Sequence, residues 1–233
     1  MKTDLRGGHN SFSFNTNFFK NWSPPMAYVL GYIFADGTII DAKKSSRTCY
    51  LRIDSSDKQI LQTIKSTLSS EHTIMETHIK QTTIRGKTYL PKPKYSLRIG
   101  NKTLYLDLLK FGLSPKKSLT MTLPDIPTQY FKYFLRGYFD GDGCLNLYQP
   151  HNRNKLTVKV IFTSGSQIFL QQISTRLHQQ LSLKNHKANY NSHAFRLTYN
   201  QSSAIKILNH IYQNLLQAPY LNKKYQRFLA IFQ

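Results

Sequence analysis

Acidic residues are scarce in this chain: eleven Asp and Glu stand against thirty-two Lys and Arg in 233 residues, a formal net charge of +21. A folded domain tolerates that much self-repulsion only when something anionic balances it in use, so a cationic partner is excluded and a polyphosphate is indicated. Cysteine is nearly absent. Cys49 and Cys144 are the only two, with no Cys-x-x-Cys and no His pair nearby, which excludes a disulfide framework and a zinc module and fits a reducing compartment. Long apolar runs are missing as well, and the start, MKTDLRGGHN, lacks the apolar stretch of a signal peptide. With no targeting signal, the expected location is intracellular: bacterial cytoplasm, or an organelle matrix or stroma if organelle-encoded. What is present excludes a disordered basic tail, since 40% of residues are hydrophobic and 13% aromatic, enough for one large core or two small ones.

Three of the few acids fall in two similar segments. Leu30-Gly31-Tyr32-Ile33-Phe34-Ala35-Asp36-Gly37 aligns with Leu135-Arg136-Gly137-Tyr138-Phe139-Asp140-Gly141-Asp142-Gly143, placing Asp36 on Asp142, 106 positions apart. Each segment is followed by a strand pair (Thr48 to Ile53; Leu156 to Phe162), an amphipathic helix (Lys58 to Leu68; Gln167 to Leu177) and a hairpin containing Ser96-Leu97-Arg98-Ile99 or Ala194-Phe195-Arg196-Leu197. A second helix (Thr103 to Phe111; Ser203 to Leu215) and a Lys pair (Lys116-Lys117; Lys223-Lys224) close each copy. The chain therefore reads as α+β, two αββαββα repeats. The expected division is an N-terminal extension over 1–17, a first repeat over 18–123, a Pro-punctuated connector over 124–127 and a second repeat over 128–233.

Ser23-Pro24-Pro25 is a helix start, with a hydroxyl cap and proline where a missing N–H does no harm. The helix is expected to run to about Asp36 and to end on a flexible exit at Gly37, with Gly143 doing the same in the second copy. Gly31 and Ala35, like Gly137 and Gly141, lie four apart on one face, which permits two helix backbones to cross closely. That crossing brings Asp36 and Asp142 together at helix C-termini, where the macrodipole already disfavours a carboxylate by about 0.3–1 kcal/mol. A divalent cation relieves both charges, and Mg²⁺ suits oxygen ligands and substrate phosphates. Carboxylates, a hard metal and a strongly positive surface together suggest phosphodiester hydrolysis.

These paired segments resemble the two motifs of single-chain LAGLIDADG homing endonucleases, over nearly the whole chain from about Phe12. The resemblance implies two repeats meeting along the motif helices, with antiparallel sheets forming a saddle in the DNA major groove. It also implies a monomer that makes Mg²⁺-dependent double-strand breaks in a long target during intron homing, with Mn²⁺ or Ca²⁺ as substitutes for binding. On this resemblance Asp36 and Asp142 are the metal ligands, Ala35 and Gly141 lend backbone carbonyls, and Lys117 and Lys224 match the family's active-site lysine. Lys116 and Lys223 are adjacent, and sequence does not choose within each pair. Asp140 matches an earlier acid of the motif, but Phe34 stands there in the first copy, so it reads either as structural or as a support for the groups that touch the metal.

The alternating strands leave a polar, basic sheet face. Arg52, Lys80, Arg85, Lys87, Lys94 and Arg98 in the first half, and Lys155, Lys159, Lys187 and Arg196 in the second, are the candidate DNA contacts. Gln81, Asn146, Asn189 and Asn191 are candidates for reading adenine. Tyr28, Tyr32 and Tyr138 read as core, the eight His show no ligand spacing, and Ser164-Gly165-Ser166 reads as a turn. Two other functions fit the same fold: an intron maturase that binds RNA, and a non-catalytic DNA-binding protein. The retained acids favour the nuclease. A helix-turn-helix regulator and an intein are disfavoured because the repeats leave no residues for the extra domains.

Overall fold

A computed structural model of the chain describes residues 12–41, 49–78, 82–84, 87–89, 92–149 and 156–232. The first repeat runs α1 (Pro24–Asp36), β1 (Gly37–Ile40), β2 (Tyr50–Ser55), α2 (Lys58–Thr67), β3 (Ile74–Thr77), β4 (Thr82–Ile84), β5 (Lys87–Tyr89), β6 (Lys94–Gly100) and α3 (Lys102–Lys110), then a single 3-10 turn at Lys117–Leu119. The second runs α4 (Phe131–Asp142), β7 (Gly143–Tyr148), β8 (Thr157–Ser164), α5 (Gln167–Leu181), β9 (Asn189–Asn191), β10 (Ala194–Asn200), α6 (Gln201–Ile211) and α7 (Asn222–Leu229). The repeat order read from the sequence is present, with two additions. The first copy carries the small β4-β5 hairpin, and the second ends in the extra helix α7.

Two four-stranded antiparallel sheets form, ordered β1-β2-β6-β3 and β7-β8-β10-β9. Their registers correspond: Gly37 pairs with Ile53 and Ile53 with Leu97, as Gly143 pairs with Phe162 and Phe162 with Leu197. Alternation decides the faces. Leu51, Ile53, Leu97 and Ile99 are buried in the first sheet, and Val158, Val160, Phe162, Leu197 and Tyr199 in the second.

The chain forms two compact units. One holds the residues up to Asn21 with Asp36–Leu108, and the other holds Trp22–Ala35 with the residues from Leu109 onward. In the first unit, α2 lies on β2 and β6. Its start is fixed by Asp57, whose carboxylate accepts from Gln59 N at 3.0 Å. In the second, α5 and α6 lie on β8 and β10, and Ser166 caps α5 by accepting from Phe169 N.

The helix α1 belongs to that second unit apart from its last residue, and its sequence explains why. Every residue from Met26 to Phe34 is buried, so the helix is apolar all round and needs a partner on each side. One partner is α4. A Cβ on Gly31 would lie 2.0 Å from the Phe134 carbonyl oxygen, and one on Gly137 would lie 2.0 Å from that of Tyr28. Only hydrogen fits in either gap, so the glycines are required for the close crossing that their spacing predicted. Phe34 closes the contact edge-on against Phe134, with ring centroids 5.3 Å apart.

The exits from the motif helices differ from the sequence expectation. Gly37 and Gly143 begin β1 and β7 directly, with Gly143 in an extended conformation (φ −86°, ψ 152°) rather than a left-handed cap. A Cβ there would lie 2.1 Å from Cδ2 of the Phe139 ring. Gly143 is needed for space, not for flexibility.

Candidate active site

Asp36 is the last residue of α1 and half-buried, while Asp142 is the last residue of α4 and exposed. Each sits where a helix leaves carbonyls without intrahelical partners, a locally negative position. In both repeats a lysine from the end of the repeat reaches back to those carbonyls. Lys117 is only 8% exposed, and its Nζ donates to Phe34 O at 2.9 Å and Ala35 O at 3.4 Å. Lys224 Nζ donates to Asp140 O at 2.9 Å and also to Phe139 O and Gly143 O. Phe34 and Asp140 are equivalent positions, so the same helix-end carbonyl is capped in each copy.

This geometry distinguishes the members of each Lys pair, which sequence left open. Lys116 is exposed in a left-handed conformation (φ 64°), and Lys223 is exposed on α7. The near-equal spacing from Asp to Lys hides two different scaffolds: Lys117 sits at the start of a single 3-10 turn, whereas Lys224 lies in the first turn of α7. The backbone carbonyls differ too. Ala35 O receives the Lys117 ammonium, and the Lys224 ammonium reaches Phe139 O, Asp140 O and Gly143 O.

Asp140 is a structural residue of unusual environment. It is 3% exposed, and its Oδ2 accepts from Tyr28 OH at 2.8 Å and from Leu221 N at 2.7 Å. Burial pushes its pKa up to about 6, opposed by the charges of Lys224 and Arg136 and by those two hydrogen bonds. One turn earlier stands Arg136, fully buried, whose guanidinium reaches four carbonyls. Nothing in the repeat pattern alone assigns Arg136 a role. The available signal is an Arg four residues before an Asp within the largely apolar helix, at positions where the first copy has Leu30 and Phe34.

The candidate DNA contacts divide. Arg52 and Arg98 pair across β2 and β6 on the open face of the first sheet, and Lys94 is exposed at the start of β6. Arg98 stacks on the Tyr50 ring, 3.7 Å from its centroid, while Arg52 and Lys94 both reach Asp54, at 3.1 and 3.7 Å. Lys159 and Arg196 lie half-buried on the open face of the second sheet, and Lys187 is exposed ahead of β9. Asn146, Asn189 and Asn191 are exposed on that sheet. Lys80, Gln81, Arg85 and Lys155, and the Lys87 side chain, lie outside the described residues. The faces are less uniformly basic than alternation alone suggested. Asp54 offsets two cations in the first sheet, and Ile161 sits opposite Cys144 and Thr198 in the second.

Two helices crossing at glycines, each ending in a carboxylate and followed by its own antiparallel sheet, define a two-repeat α+β protein. Residues 131–212 match the family description "LAGLIDADG-like domain". No curated protein matches the chain. Among solved structures it is similar to the LAGLIDADG meganuclease I-AabMI bound to uncleaved DNA, with 14% identity over 90% of each chain and a TM-score of 0.58. It is also similar to the LAGLIDADG homing endonuclease I-GzeII in complex with its DNA target, with 12% identity, 91% of this chain, 89% of that one and a TM-score of 0.54. Mesophilic variants of the homing endonuclease I-DmoI match with 16% identity, 90% of this chain, 98% of that one and a TM-score of 0.54. The chain has the LAGLIDADG homing-endonuclease fold. Among the described residues no helix is long and apolar enough to cross a membrane.

Proposed function

We propose that the protein is a site-specific DNA endonuclease that cuts both strands of a long duplex target by cation-dependent phosphodiester hydrolysis. The observation that carries this reading is the repeated helix end: an Asp at the terminus of each glycine-apposed helix, with a lysine from the same repeat bonded to the carbonyls beside it. A simple DNA-binding protein has no use for carboxylates kept next to a polyanion. Likeness to structures solved on DNA supports the same substrate class.

The donor set fits a hard divalent cation. Asp36 and Asp142 would each offer carboxylate oxygens to such a cation, each helix end serving one DNA strand, with the Ala35 and Gly141 carbonyls as further candidate donors. Among the described residues no three His, Cys, Asp or Glu cluster together, so water and substrate phosphate would have to complete the coordination, as Mg²⁺ commonly prefers. When bound, the cation supplies the Lewis acid for hydrolysis. Lys117 and Lys224 hold the main chain that carries the two carboxylates and offset the negative helix ends. The net charge of +21 draws the duplex in, and the open sheet faces contact it. Selection of cleaved sequences from a randomised duplex library with Mg²⁺ tests this reading. A defined cleaved sequence supports it, and the absence of any enriched cut site contradicts it.

A further inference from the structure

The two helix ends are built by different means, and the difference lies in a buried polar clamp present only in the second repeat. Arg136 and Asp140 stand one turn apart on α4, facing the chain between α6 and α7. The guanidinium donates to Ile211 O at 2.5 Å, Gln213 O at 2.6 Å, Ala218 O at 3.0 Å and Pro219 O at 3.3 Å. It thereby gathers the carbonyls left over at the end of α6 and those approaching α7. The Asp140 carboxylate takes the next amide, Leu221 N, and Leu221 is the residue that caps the start of α7. Three residues on, Lys224 returns to the backbone carbonyl of Asp140 itself at 2.9 Å. The side chain of Asp140 fixes the helix that carries the lysine, and the lysine fixes the main chain of Asp140.

A cation facing carbonyls and an anion facing an amide are each the favourable polarity for a buried group, and both are charge-assisted bonds. The Tyr28 hydroxyl adds the α1 side to the same carboxylate at 2.8 Å. The first repeat has no Arg–Asp pair at the corresponding positions. The equivalent positions are Leu30 and Phe34, both buried, and the Phe34 ring lies near those of Phe134 and Phe169 at 5.3 and 6.0 Å. Lys117 hangs instead on a turn set by the left-handed Lys116.

We infer that Arg136 and Asp140 are positioning residues that act through α7 on Lys224, and so govern the second helix end alone. The consequence for activity rests on the nuclease reading above: loss of the clamp slows cleavage of one DNA strand and spares the other. A general loss of folding would slow both equally.

The test uses the full-length protein and the variants Asp140→Leu, Asp140→Asn and Leu221→Pro. The last removes the N–H that donates to Asp140, together with the leucine side chain, at a backbone φ of −83° that proline tolerates. Hydrogen exchange without DNA or metal comes first. In Asp140→Leu the Leu221 amide should exchange at least about tenfold faster while α2 and α3 are unchanged, and Asp140→Asn, which still accepts, should largely restore protection. If Asp140→Leu fails to fold, Leu221→Pro decides, through faster exchange of α7 amides. Unchanged exchange in α7 overturns the clamp whether or not the protein cuts DNA. The second arm follows each strand of a supercoiled plasmid carrying the selected target. Asp140→Leu or Leu221→Pro should accumulate nicked circles with the break always on the same strand. Linearisation at the wild-type rate, or equal slowing of both strands, overturns the inference. If the wild type cuts nothing, the nuclease reading fails and the exchange arm still decides the clamp.

Discussion

Gly31 and Gly137 occupy reciprocal positions: a side chain on either would enter the backbone of the other's helix, at the Phe134 and Tyr28 carbonyls. Backbone cannot move aside as a flexible side chain can, so the helices would have to separate and the packing of Phe34 on Phe134 would open. Gly31→Ala and Gly137→Ala should each destabilise the protein by about 3 kcal/mol or more, read from urea unfolding followed by circular dichroism. A cost below about 1 kcal/mol for either would show that the crossing is looser than described.

The lysines make a second prediction. Lys117→Met strips a buried donor from Phe34 O and Ala35 O and leaves those carbonyls poorly paired. The expected loss is about 2 kcal/mol, while Lys116→Met next to it changes stability by less than about 0.5 kcal/mol. Lys224→Met should likewise cost more than Lys223→Met. Equal effects within a pair would mean that the capping contacts do not hold in solution.

His210 gives a pH prediction. Burial, helped by the nearby Lys132 charge, lowers its pKa from 6.5 to about 4, and its ring contacts Gln180 Oε1 at 3.2 Å. The unfolded chain protonates this group first on acidification. Its contribution is therefore complete above pH 6.5 and is lost as the pH falls from there toward 4. Asp140 acts oppositely over much of the same window, because a carboxyl raised from 3.8 to about 6 favours the folded state at low pH and that contribution fades as the pH rises through 6. The two partly cancel in the wild type. The stability difference between wild type and His210→Gln should be larger at pH 7 than at pH 4.5. A difference independent of pH would contradict burial of a neutral His210.

The open sheet faces predict salt-sensitive binding. Each phosphate neutralised contributes a slope of about −0.9 in log K against log salt, so a duplex held by the basic residues should give a slope of several units. Replacing Arg98, preorganised on Tyr50, should weaken binding and alter base preference, whereas replacing Lys94, which shares Asp54, should weaken binding uniformly. A slope near zero would exclude this mode of binding.

Much of the architecture was readable from the residues because repetition multiplies weak signals. One helix ending in Asp-Gly says little, but two followed by the same order of elements identify a duplicated unit. The small-residue spacing predicted the crossing because Cβ volume alone decides it. Sequence was silent where the decisive group acts through backbone geometry. Lys117 and Lys116 are indistinguishable as letters, and only the left-handed backbone at Lys116 sends one inward. Arg136 was passed over because its partners are four backbone carbonyls, which leave no pattern in side-chain identities. The role of Gly143 is hidden in the sequence for a related reason. A glycine demanded by a neighbouring ring looks the same as one demanded by a turn.

The central claim is that the carboxylates ending α1 and α4 do chemistry and do not merely end helices. Its most direct test is cleavage of the selected duplex by wild type, Asp36→Asn and Asp142→Asn with Mg²⁺, beside duplex binding in Ca²⁺. Asn preserves size and removes the charge that holds a cation. The account predicts that double-strand cleavage is lost in both variants while binding stays within about threefold of wild type, since neither carboxylate pairs with phosphate. Wild-type cleavage by either variant would contradict it.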